Sequence, residues 1–149
     1  MTETQLLAEA TIERPADEVW ALLADYGNDP RWRRGVDTMN PTPAGLVATG
    51  TRTAEVLRFA GRTYRNDGEV IAVEPGTSFR WRTTSGVPAT GSRTVTPAGP
   101  GCCTVRLETR LDPQGSDRVV VLLPGWLLRR GLVRDLRSLR GLVETGISA

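Results

Sequence analysis

Arg93 is the residue whose setting first asks for chemistry. In the extended stretch Val87–Thr96 it shares parity with Val87, Ala89 and Val95, so alternation aims it at whatever those residues are buried against. An arginine placed there keeps its charge and needs a carboxylate, a bound anion or water. The alternative is a local bulge that turns it out to solvent. Tyr64, Asn66, Asp67 and Glu69 bring polar groups to both faces of another strand. Their parity is ambiguous, because Val70 and Ala72 oppose Ile71 and Val73. Acid–base work in this chain would rest on Tyr64, Asp67 and Arg93.

Other chemistries lack their parts. The chain has no histidine, which removes Ser–His and Cys–His nucleophiles and the commonest metal ligand. Cys102 and Cys103 are adjacent, and neighbours in a strand point to opposite faces, so neither a disulfide between them nor a shared metal is expected. No phosphate-cradling glycine motif or dinucleotide fingerprint is present. The sequence therefore predicts no cofactor and no metal.

Aromatic residues give a second set of candidates. Phe79, Trp81 and Thr83 alternate with Arg80 and Arg82 along Ser78–Thr84, so Phe79 and Trp81 form either one wall of a pocket or plain core packing. Trp32 sits beyond Asp29-Pro30 on a short helical turn. Trp20 faces away from the Val19–Leu23 stripe and is expected at a helix edge. The candidate ligand-binding set is Trp32, Phe59, Tyr64, Phe79 and Trp81, with Arg93 as the polar member. Leu128 and Leu132 would close the pocket from a helix.

The elements that would position these residues follow from periodicity. Gln5 to Glu13 alternates as a half-buried strand. Pro15, Asp17 and Glu18 then open a helix with Val19, Leu22, Leu23 and Tyr26 inward and Gly27 at its end. From Val36 onward the signals are strand and turn. Ala60-Gly61 joins Thr51–Phe59 to Arg62–Val73 as a hairpin, Glu74 to Thr77 turn into Ser78–Thr84, and Ser85-Gly86 turn into Val87–Thr96. Cys103–Leu111 buries Cys103, Val105, Leu107 and Leu111. The longest element is Asp117 to Glu144, where Leu128, Leu132, Leu136, Leu139 and Val143 mark one helix face and Arg130, Arg134, Arg137 and Ser138 the other. Gly125 falls on the apolar line and notches it. The first strand, remote from its neighbours in sequence, is expected to pair with the last one or two. The class is α+β: about seven antiparallel strands covered by a long C-terminal helix, with two short helices after the first strand.

Bulk properties bound the rest. A chain of 149 residues with 39% hydrophobic and 24% charged content is read as one domain, 1–149, of ordinary globular composition. Its net charge of +2 gives no field for nucleic acid. All of the basic charge is arginine, and the arginines of the C-terminal helix read as a solvated outer face. Met1 to Gln5 is polar, so no secretory leader is expected, and a reducing cytoplasm fits the cysteines. The apolar run Val119–Leu128 is broken by Pro124-Gly125 and is about half the roughly twenty residues a membrane span needs.

The segment IERPADEVWALLADYGNDPRWRRGV resembles the N-terminal signature of the START-related polyketide cyclase/dehydrase and lipid-transport superfamily (SRPBCC, Bet v-like proteins). The pattern is a strand, a Pro-containing helix start, Val19-Trp20, the pair Asp25-Tyr26, then Pro30 and Trp32 before a glycine and an aliphatic residue. EVIAVEPGTSFRWR resembles the family's strand–turn–strand, and the resemblance spans nearly the whole chain. It implies a helix-grip fold, a curved sheet around the C-terminal helix with a cavity between. It also implies binding of a lipid, polyketide or similar small hydrophobic molecule. The alternative is a cyclase, aromatase or dehydratase acting on a poly-keto chain, and a third is a protein-interaction domain. No stable membrane insertion is expected, and the working unit is a monomer or homodimer.

Overall fold

The computed structural model describes residues 4–112 and 124–145. The chain runs β1 (Thr4–Ile12), α1 (Ala16–Leu23), a 3-10 turn (Tyr26–Asn28), α2 (Asp29–Trp32), β2 (Val36–Thr42), β3 (Arg52–Phe59), β4 (Arg62–Glu74), β5 (Ser78–Ser85), β6 (Ala89–Pro97), β7 (Cys103–Leu111) and α3 (Gly125–Glu144). The part of the expected C-terminal helix from Asp117 to residue 123 lies outside the described residues. Gly125, read as a notch in its apolar face, is the first residue of α3.

The seven strands form one antiparallel sheet in the order β1-β7-β6-β5-β4-β3-β2. β2 to β7 are consecutive neighbours. β1 adds to β7 with Thr4 opposite Leu111 and Ile12 opposite Cys103, which is the expected pairing of the first strand with the last. α1 and α2 carry the chain from the β1 edge to the β2 edge, and α3 packs on β1 and against α2. This is the helix-grip arrangement.

Two strand irregularities matter for the site. Pairing of β4 with β5 shifts register between Asp67 and Gly68 and again between Val70 and Ala72. The first leaves Thr84 as the extra residue on β5 and keeps the parity of β4; the second leaves Ile71 as the extra residue on β4 and resets it. Tyr64, Asn66 and Val70 therefore face inward on one phase, while Ile71 is exposed and Val73 packs inward after the shift.

Packing falls into two apolar groups. The larger gathers Ile12, Val19, Leu23, Tyr26, Trp32, Phe79, Val95, Val105, Leu136 and Leu139. The smaller joins Leu6, Tyr64, Val87, Leu111 and Leu128, with Phe59 and Leu132 packed on it. Leu128, Leu136 and Leu139 of α3 are buried and Leu132 is half-buried, while Arg130, Arg134 and Arg137 are exposed. The helix thus lies on the face its periodicity assigns. Trp20 departs from its expected place: it is buried and meets the Phe79 ring edge-on at 6.1 Å, and Leu22 is the half-buried residue. Trp20, more than Leu22, thus packs toward β5 through Phe79.

Candidate ligand-binding cavity

A cavity of about 230 Å³ lies between the sheet and α3. Voids near 150 Å³ hold benzene, so this one can take a two-ring body. Leu6, Leu57, Leu107, Leu111, Leu128 and Leu132 supply much of its wall. Seven of the eight residues singled out in the sequence line it: Trp32, Phe59, Tyr64, Trp81, Arg93, Leu128 and Leu132. Phe79 does not. It is fully buried beside the cavity, with Tyr26 at 5.6 Å and Trp20 across from it. Phe79 and Trp81 share a face, but two residues further along β5 the layer above changes from α1 to open space. Trp81 fits there because of Gly91 on the paired strand, where any Cβ would collide with the Trp81 ring and the Glu108 carbonyl.

Arg93 points inward and is buried, so the bulge alternative is excluded. Its partner is Asp29, the first residue of α2. Arg93 Nη1 donates to Asp29 Oδ1 at 2.9 Å and Nη2 to Oδ2 at 2.6 Å, while Nη1 also reaches the Leu23 carbonyl at 3.0 Å. The guanidinium lies over the rings of Tyr26, Trp32 and Phe79 at 4.7, 5.0 and 5.5 Å, a desolvated cation–π cage.

The ionic chain continues along the cavity. Arg33 Nη1 donates to Asp29 Oδ2 at 3.0 Å and to Glu55 Oε2 at 2.7 Å. Asn66 Nδ2 donates to Glu55 Oε1 at 3.1 Å, and Asn66 Oδ1 accepts from the Val87 amide at 3.0 Å. Two arginines thus face two carboxylates, and all four carboxylate oxygens are engaged. Burial alone would lower the proton affinity of Arg93, but Asp29 outweighs it and the group is held more firmly protonated. Burial is likewise outweighed at Arg33, by Glu55 and Asp29. Burial raises the Tyr26 hydroxyl well above the usual phenol range, against the pull of Arg93.

Two polar atoms of the lining residues have no partner among the described residues: the Tyr64 hydroxyl and the Trp32 indole Nε1. Asp135, on α3, also borders the cavity and accepts from the Arg34 amide at 3.2 Å. Burial pushes its carboxyl up, although Arg33, the Arg34 amide and Arg134 pull the other way. Asp67, grouped with Tyr64 and Arg93 for acid–base work, is exposed at the first register shift between β4 and β5 and borders the cavity. Asp29, Arg33, Glu55 and Asp135 were not singled out from sequence. Asp29 reads there as an ordinary helix start, and the other three carry no periodic signal.

Residues 3–144 match the family model for polyketide cyclase / dehydrase and lipid transport. The chain belongs to that family. Among solved structures, this family member resembles the Zhui aromatase/cyclase from Streptomyces sp. R1128 (TM-score 0.78, 15% identity, covering 99% of this chain and 98% of that one). It is equally similar to the protein TTHA0849 from Thermus thermophilus (TM-score 0.78, 18% identity, 97% and 99% covered). A START superfamily protein from Mycobacterium smegmatis follows (TM-score 0.75, 12% identity, 97% and 99%). At such identities these likenesses speak for the fold alone. No curated protein matches the sequence significantly.

Proposed function

We propose that this protein binds one small hydrophobic molecule in the cavity between the sheet and α3. The observation that carries this reading is the lining itself: leucines and aromatics around a void, beside a polar cluster whose charges are already paired. That is the composition of a small-molecule site, mostly apolar with a few fixed polar groups. Neither cysteine is paired, which fits a reducing setting such as the cytoplasm. Among the described residues no helix is long and apolar enough to cross a membrane.

The test is a titration with a neutral, environment-sensitive naphthylamine dye. Saturable binding with quenching of tryptophan emission is expected, and Trp81→Leu should weaken binding more than it lowers stability. Linear uptake without saturation would refute the reading.

One observation favours a second reading, an enzyme of the aromatase/cyclase kind, like Zhui, acting here on a poly-keto chain. Asp135 is a carboxyl with raised proton affinity at the cavity edge, which suits a general acid. Turnover of a poly-keto thioester mimic, lost in Asp135→Asn while dye binding persists, would establish this reading over simple carriage.

A further inference from the structure

The cavity has a chemical preference that its ionic cluster and its orphaned donors specify together. Arg93 and Arg33 look like anchors for an acidic ligand, yet both are consumed. Asp29 takes two hydrogen bonds from Arg93 and one from Arg33, and Glu55 takes a second from Arg33 and one from Asn66. Beyond these, the lining carries Arg82, which pairs with Glu69, and the exposed Arg134, against Asp67, Glu108 and Asp135. Among the described residues, an incoming carboxylate would find no buried cation that is free. To obtain one it would have to part Arg93 from Asp29, leaving a fully buried carboxylate held by Arg33 alone.

The unfilled hydrogen-bonding capacity lies elsewhere. Tyr64 is 2% exposed and Trp32 1% exposed, and both line the cavity. The Tyr64 hydroxyl and the Trp32 Nε1–H have no partner among the described residues. An indole N–H can only donate, and a phenol O–H donates readily, so one kind of group completes both: an acceptor. Tyr64 sits among Leu6, Val87, Leu111 and Leu128, none of whose side chains can supply one. A buried donor without an acceptor is costly, and a ligand oxygen that reaches it recovers that cost.

We infer that the ligand is an uncharged molecule bearing a carbonyl-type oxygen, that Tyr64 donates to this oxygen, and that carboxylates of the same shape are rejected. The inference rests on the ligand-binding reading above and narrows it.

The experiment displaces the naphthylamine dye with three matched probes: acetylnaphthalene, ethylnaphthalene and naphthoate, substituted at the same ring position. At neutral pH the ketone should bind roughly three- to tenfold more tightly than the hydrocarbon, and the carboxylate at least about tenfold more weakly than the ketone. Tyr64→Phe should erase the ketone's advantage over the hydrocarbon, read as the ratio of the two affinities in one folded variant. Naphthoate binding as tightly as the ketone, or an advantage that survives Tyr64→Phe, would overturn the inference while leaving a ligand cavity in place. If none of the three displaces the dye and the dye itself does not saturate, the ligand-binding reading falls and takes this inference with it.

Discussion

Asp29 and Arg93, 64 residues apart in the chain, form a bidentate pair at 2.9 and 2.6 Å inside the protein, with Asp29 fully buried. The pair joins the start of α2 to the middle of β6, so it fixes one wall of the cavity relative to the sheet. Removing Asp29 strands the buried charge of Arg93, and removing Arg93 leaves Asp29 with Arg33 alone. Asp29→Leu or Arg93→Met should each cost about 3–5 kcal/mol. The double variant Asp29→Leu/Arg93→Met should recover most of that loss, since an apolar pair of similar volume avoids burying charge. Denaturant unfolding of all four proteins decides it. Simple addition of the two single losses would mean that the pair is not an energetic unit.

The inward setting of Arg93 was legible in the β6 alternation with Val87, Ala89 and Val95. Its partner was not. Asp29 precedes a proline, where an aspartate is ordinary at a helix start, and no periodicity links positions 64 residues apart. The same holds for Arg33 and Glu55, whose contact depends on how α2 sits over β3. Ambiguity in β4 had a physical source: a bulge at Ile71 changes its phase, so no single parity describes the strand. Phe79 and Trp81 were placed on the right face, but whether a face meets packed helix or cavity depends on the layer above it. The α3 face, by contrast, was readable because one long amphipathic helix has only one apolar side.

That face supplies the second prediction. Leu136 and Leu139 are buried under α3, and changing either to Ala should cost about 2–5 kcal/mol. Leu132 is only half-buried and borders the cavity, so Leu132→Ala should cost less than either. Arg137→Ala should stay within about 0.5 kcal/mol. Equal losses at Leu136 and Arg137 in chemical unfolding would place the wrong face inward.

Gly131 is a helix-interior glycine that borders the cavity, and a Cβ built on it would lie 3.7 Å from Phe59 Cε1, an ordinary contact. Gly131→Ala should therefore stabilise the protein by up to about 1 kcal/mol through helix propensity. Gly131→Leu should fill the space facing Phe59 and weaken dye binding. Thermal melts and dye titrations of the two variants check this. Unchanged dye affinity in Gly131→Leu would place the ligand elsewhere.

Asp135 gives a pH dependence. Its folded-state proton affinity is raised, chiefly by burial, against the pull of Arg33, the Arg34 amide and Arg134. The folded protein then holds that proton over a pH range in which the unfolded chain has lost it, so stability falls as pH rises through that range. Asp135→Asn keeps an oxygen to accept from the Arg34 amide and removes the titration. Relative to the parent, the variant should gain stability on going from about pH 4 to about pH 7. A constant difference across that range would show that Asp135 ionises freely.

The proposed occupant of the cavity is one small molecule, and the tryptophans report on it directly. Trp32 and Trp81 line the cavity, Trp20 is buried away from it against Phe79, and Trp126 is 66% exposed at the start of α3. In a proton–nitrogen correlation spectrum each indole gives its own signal. Titration with acetylnaphthalene should move the Trp32 and Trp81 indole signals along one saturable curve and leave those of Trp20 and Trp126 in place. Movement of Trp126 alone, or shifts at all four that never saturate, would contradict the account.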